Sequence, residues 1–300
     1  MDGNQLNLDI MEKISAKTDS LFRRFVSGFI FISGLIIFTG GEAYAQGNLL
    51  ITPRRVVFEG TKRTQELNLA NTGADSARYN VSMVQYRMKE DGSFEEITTP
   101  DPGQNFADKY IRFFPRSVLL GPNEAQVVRM QLSRTENLAP GEYRSHVYFR
   151  AVPRETALGM QDNRKKDTAS IGVKLIPIFG ITIPVIIRVG TSTTKTSLSD
   201  LKLEMVNDTT PRLHLVFNRS GNMSVYGDIL VDYLPVGGKP ITVGTVKGIA
   251  VYTPNSRRIF GMELQKKPEV DFHRGSLHLT YQSQSDTKPE KYAEADLTLK

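Results

Sequence analysis

The run "IGVKLIPIFGITIPVIIRVG", Ile171 to Gly190, constrains the fold more than any other part of the chain. It is apolar and as long as a membrane-spanning helix. Yet it carries Lys174, Pro177 and Pro184, and each proline removes an amide donor and breaks a helix. It therefore reads as a strand. Taken by parity, Ile171, Val173, Leu175, Pro177, Phe179, Ile181, Ile183 and Val185 share one face, and the opposite face is mixed. A wholly apolar strand face must be covered by something. Proline inside a strand is confined to edges, and an apolar edge is an aggregation hazard unless a partner pairs with it. The stretch is thus expected to be an edge strand: Phe179–Ile187 is ordinary core, and Ile171–Leu175 is a working surface.

The rest of the chain from Gln46 has the same character. "RVVFEG", "TQELNLANTG" and "GEYRSHVYFRAVP" are short β-branched and aromatic runs bounded by turn residues, the spacing of antiparallel sandwiches. Asp91-Gly92 and Gly121-Pro122-Asn123 each predict a turn joining consecutive antiparallel strands. In "AQVVRMQL", Val127, Arg129 and Gln131 alternate with Val128, Met130 and Leu132, so one face is wet and the other buried. "RETALGMQDNRKKDTAS" reads as a loop and "TSTTKTSLSD" as an interdomain linker. The fold class is all-β, with sandwich domains over 46–190 and 191–300.

Residues 1–45 read as a leader. The apolar run Phe25–Gly40 follows Arg23-Arg24 and ends near Ala43-Tyr44-Ala45, a small-x-small cleavage pattern. The run is shorter than the ~20 residues a bilayer core needs, so no stable membrane span is expected. The leader holds four Lys/Arg and five Asp/Glu, so beyond it 34 Lys/Arg face 27 Asp/Glu. That modest, dispersed excess gives no nucleic-acid tract. The chain has no cysteine, which excludes disulfides and thiol chemistry. His146, His214, His273 and His278 make no metal spacing and read as partly exposed strand residues. Arg257 and Arg258 follow a Tyr-Thr-Pro-Asn turn, usually a solvated pair, with the alternative that they face a cleft between the two domains. No Gly-x-Ser-x-Gly or phosphate-cradling loop occurs, so no cofactor and no catalytic residue is assigned.

"TPRRVVFEG", "SVLLGPNEAQVVRMQL" and "YRSHVYFRAVPRE", followed by the long apolar strand, resemble the periplasmic pilus (fimbrial) assembly chaperones over residues 48–190. The resemblance implies two immunoglobulin-like β-sandwiches in tandem, set as an L, with a cleft between them. It implies a non-enzymatic, ATP-independent chaperone that binds incomplete pilin-like subunits by donor-strand complementation. It also implies an outer-membrane usher as a second partner and possible self-capping as a homodimer. The donors would be Ile171, Val173 and Leu175. The subunit's terminal carboxylate would be held by Arg55, with Lys174 or Arg188 as second cation, because Thr182 stands where the family has lysine. The competing expectation is an exported structural or adhesive protein of two sandwiches that hides the apolar strand within itself or a homodimer.

Overall fold

The computed structural model describes residues 49–153, 178–207, 209–285 and 289–299. The leader, the loop after Pro153, Lys174 and the proposed donors Ile171, Val173 and Leu175 lie outside them. Among the described residues the only helical element is one 3-10 turn, Asp108–Tyr110. No helix there is long and apolar enough to cross a membrane.

The first sandwich has two facing sheets. In one, β1 (Leu49–Thr52), β3 (Thr64–Asn71), β9 (Ala125–Leu132) and β7 (Ile111–Phe114) lie in the order β1-β3-β9-β7. In the other, β2 (Val56–Phe58), β11 (Gly180–Val189), β10 (Gly141–Ala151), β4 (Ala77–Val84) and β8 (Ser117–Leu120) lie in the order β2-β11-β10-β4-β8. Alternating residues meet between them: Leu67, Leu69, Val128 and Met130 pack toward Phe58, Val147, Phe149, Val185 and Ile187. The alternation expected for β9 is present, with Val128 and Met130 buried and Val127, Arg129 and Gln131 exposed.

Two turns turned out differently. Gly92, at φ +83°, closes a hairpin of β5 (Tyr86–Met88) and β6 (Phe94–Glu96), and Asp91 accepts a hydrogen bond from the Ser93 amide at 2.8 Å. Gly121–Asn123 does not close a hairpin. β8 pairs with β4 and β9 pairs with β3 and β7, so this turn carries the chain from one sheet to the other. Its residues have the composition of a hairpin turn, and the next strand's partner cannot be read from the turn itself.

In the second sandwich, β12 (Lys195–Val206), β13 (Thr210–Ser220) and β16 (Arg257–Glu263) form one sheet. The other runs β15 (Ile241–Val251), β14 (Val225–Leu234), β17 (Ser276–Ser283), β18 (Lys291–Thr298). Its separate core joins Leu213, Leu215 and Phe217 to Ile229, Val231, Leu279 and Tyr281. The expected linker is shorter than its composition suggested. From Lys195 onward it is strand β12, laddered to β13, because serine and β-branched threonine suit a half-buried strand as well as a loop.

The apolar run is mixed in its pairing. β10 pairs with β11 along Gly180–Val189, whereas β2, parallel to β11, covers only Val185–Ile187. Among the described residues, Gly180–Pro184 therefore has a free edge. Ile183, Val185 and Ile187 enter the core with Ile181 packed against it, as parity predicts. Phe179 does not: it is 49% exposed, and Ile178 beside it 42%. The buried face begins only where sheet β1-β3-β9-β7 lies across it. Ile186 points the other way, where it meets Met88, Ala250 and Tyr252 in a small cluster joining the two sandwiches.

Candidate binding cleft

Arg55 immediately precedes β2. Because Val56 and Phe58 turn into the core, Val57 and Arg55 fall on the opposite face, toward the second sandwich. The Arg55 guanidinium lies 4.5 Å over the Tyr226 ring and 5.6 Å from that of Tyr252, and its Nη1 donates to Tyr252 Oη at 3.3 Å. These contacts fix the planar group but supply no negative charge. Among the described residues Arg55 has no carboxylate partner, so its charge remains available for an anion.

Arg188, one of the two candidates for the second cation, is held by partners within the protein. Its Nη2 donates to the Ser224 carbonyl at 2.9 Å, its Nε is 3.5 Å from Glu142 Oε2, and its Nη1 is 3.8 Å from Glu59. The Nε contact is an ion pair without hydrogen-bond geometry. The Glu142 side chain is fully buried, and its Oε2 also accepts from the Ser224 amide at 3.0 Å and the Ser224 hydroxyl at 2.6 Å. Arg188 thus belongs to a polar joint between the sandwiches. Thr182 pairs with Tyr148 and brings no charge.

Arg55 and Arg188 line one cleft of about 630 Å³, together with Arg54, Lys247, Tyr226, Tyr292 and, as the one acidic residue among the described lining, Glu59. With Arg188 met by Glu142 and Glu59, the described lining still holds Arg54, Arg55 and Lys247, which favour a negatively charged ligand, and a guanidinium can bond both oxygens of a carboxylate. Sequence reasoning missed Arg54, Lys247 and Tyr226. Arg54 is visible as the neighbour of Arg55; Lys247 and Tyr226 come from the second sandwich, and nothing local marks them as facing the first.

Behind the cleft, Tyr252 has a second arginine on it. Arg144 lies 4.3 Å over the ring, donates to the Thr253 carbonyl at 3.3 Å, and leaves Nε and Nη1 without hydrogen-bond partners among the described residues. Burial pushes its guanidinium below the ordinary value. His146 is not a partly exposed strand residue: it is 4% exposed, with edge-on contacts to Tyr86 at 5.1 Å and Phe94 at 5.9 Å. Hairpin β5–β6 covers it, a contact no local pattern announces. Burial, then the charge of Arg144, pulls its pKa down from 6.5 to about 3. The other histidines lie beside carboxylates: His214 by Glu204, His273 by Asp271, and His278 between Asp296 and Glu294. No group of three metal-ligating side chains occurs among the described residues.

Arg258 is not solvated either. It donates to the Ala250 carbonyl at 2.6 Å and packs where a Cβ on Gly92 would sit, 2.6 Å from its Nε. The Ile259 amide donates to the Glu90 carbonyl at 2.7 Å, so hairpin β5–β6 of the first sandwich bonds directly to β16 of the second. Arg257 is exposed, 3.9 Å from Asp200.

No family model matches the sequence, and no curated protein matches it. Several solved structures are similar. The YadV chaperone aligns over 84% of this chain and 100% of its own, at 12% identity and a TM-score of 0.43. A chain of the CsuC–CsuE chaperone–tip adhesion subunit pre-assembly complex of Acinetobacter baumannii aligns over 85% and 100%, at 13% identity and a TM-score of 0.42. A chain of the Salmonella enterica SafA pilin–SafB chaperone complex aligns over 86% and 99%, at 14% identity and a TM-score of 0.37.

Proposed function

We propose that this chain is a divergent periplasmic pilus-assembly chaperone, exported by its leader, which binds an incomplete pilin-like subunit by strand addition and holds it for an outer-membrane usher. The observation that carries this reading is the free edge of β11 at Gly180–Pro184, which runs directly toward Arg55. β2 lies parallel to β11 on that same edge and begins at Val56, opposite Val185. A client segment on the free edge, running parallel to β11, therefore ends where Arg55 stands. Its terminal carboxylate meets an arginine held face-on by Tyr226.

The backbone ladder supplies affinity that hardly depends on the client's sequence, and each apolar side chain fully buried adds ~1.5 to 3 kcal/mol. Ile171, Val173 and Leu175, outside the described residues, continue in sequence the parity of Ile181, Ile183 and Val185, and are the proposed donors. Binding by ladder and ion pair needs neither a catalytic group nor a nucleotide.

Co-expression of the mature chain with the proteins encoded beside its gene, assayed for capture of a small β-rich subunit, tests this reading. A stable one-to-one complex, lost with Arg55→Ala or Val173→Asp while both variants stay folded, supports it. Normal capture by both variants, or an edge satisfied by a homodimer that never exchanges for the subunit, rejects it.

A further inference from the structure

The geometry points to Lys247, on the second sandwich, as the cation that works with Arg55, so that the anion site is assembled from both domains. This inference rests on the proposed binding of a chain-terminal carboxylate in the cleft. Of the cleft's other cations, Arg188 is engaged by Glu142, Glu59 and the Ser224 carbonyl, and Arg54 comes from the same sandwich as Arg55, so among the described lining residues Lys247 alone brings charge from the second. Lys247 is exposed, lines the same cleft as Arg55, and has no ion-pair partner among the described residues.

Its placement depends on a break in the ladder. β14 and β15 pair as Gly227 with Ile249 and Ile229 with Val246, so Asp228 alone faces two residues, Lys247 and Gly248. This is a β-bulge, a device that re-aims side chains. Val246 and Ile249 both contribute to the core of the second sandwich, with the two bulge residues between them facing out. In a regular strand Ile249 would share the outward side of Lys247, and one of the two would be misplaced.

The bulge is held on both sides. Gly248 adopts φ +76°, which disfavours any other residue, and its amide donates to Asp228 Oδ1 at 2.8 Å. A Cβ there would sit 2.9 Å from Tyr226 Oη. The ring that carries Arg55 on its face is thus closed against the glycine that sets Lys247. Tyr226 couples the two cations, and each supplies charge from a different sandwich.

The test uses the mature protein and two synthetic peptides, N-acetyl-Thr-Val-Thr-Val-Thr-Val with a free terminal carboxylate and the same peptide as its terminal amide. Arginine and lysine side-chain resonances and dissociation constants are measured by NMR titration. The carboxylate peptide is expected to shift Arg55 and Lys247 together and to bind about tenfold tighter than the amide. Lys247→Gln should remove most of that preference. Gly248→Ala should weaken it without changing the charge. If Arg55→Gln abolishes the preference while Lys247→Gln leaves it intact, Lys247 is not the partner and the reading of Arg55 stands. If the wild-type protein shows no preference for the carboxylate, both fall.

Discussion

Glu142, on β10 of the first sandwich, accepts hydrogen bonds from the amide and the hydroxyl of Ser224 in the second, at 3.0 and 2.6 Å. Its other oxygen is buried without a hydrogen-bond partner among the described residues, and Arg188 stands 3.5 Å from the bonded one. The joint between the domains is therefore a dehydrated charge whose satisfaction comes largely from the far side. Truncating such a group leaves its cation and its donors uncompensated. Glu142→Ala should cost about 3 kcal/mol in denaturant unfolding, with Glu142→Gln costing less because an amide oxygen still accepts from Ser224. An unchanged midpoint in Glu142→Ala would show that the joint is not a source of stability.

His146 sets part of the acid limit. The folded chain resists protonating this imidazole until about pH 3, whereas in the unfolded chain it takes up a proton below about 6.5. Between those values the unfolded state binds the extra proton, so stability falls as pH falls through that window, by at most about 1.4 kcal/mol per pH unit. His146→Phe, which keeps an aromatic ring against Tyr86 and Phe94, should flatten the acid limb by close to one proton. The check is unfolding free energy from pH 7 to pH 3 in both proteins; identical slopes would contradict the assignment.

Gly180 opens the free edge beneath Tyr148. A Cβ on this glycine would meet the Tyr148 ring. Gly180→Ala should displace that ring and destabilise the first sandwich by about 1 kcal/mol, and Tyr148→Ala in the same chain should recover most of it in a double-mutant cycle. Additive effects would mean that the two do not share the space.

The periodic parts of this fold were legible in the sequence and the non-local parts were not. Alternation gave β9 and the buried parity of Ile183, Val185 and Ile187, because period two follows directly from strand geometry. It did not show that Gly121–Asn123 changes sheets or that β12 begins inside a serine- and threonine-rich stretch, since turn and strand composition overlap there. Arg55 was marked by its neighbours in the chain. Lys247 was not, because its direction comes from a bulge whose partner, Asp228, is 19 residues away. Arg188 was visible as a cation on the apolar strand, whereas its tie to Glu142, a partner 46 residues distant, exists only in the fold.

Arg55 should matter more to binding than to folding. Its stacking on Tyr226 contributes about 1 kcal/mol, so Arg55→Ala should unfold nearly as the parent does. Arg55→Lys retains the charge but loses the fork that bonds two oxygens, and should give weaker capture of the co-expressed subunit than the parent and stronger capture than Arg55→Ala. Equal capture by Lys and Ala variants would show that charge at this position is irrelevant.

Strand addition at the free edge of β11 is tested most directly by amide hydrogen exchange across Gly180–Ile183, in the mature chain alone and in its complex with the co-expressed subunit. The edge-facing amides of this segment should exchange at least about tenfold more slowly in the complex, while Val185–Ile187, already laddered to β2, should change little. A stable complex in which exchange at Gly180–Ile183 is the same as in the free chain would contradict strand addition at this edge.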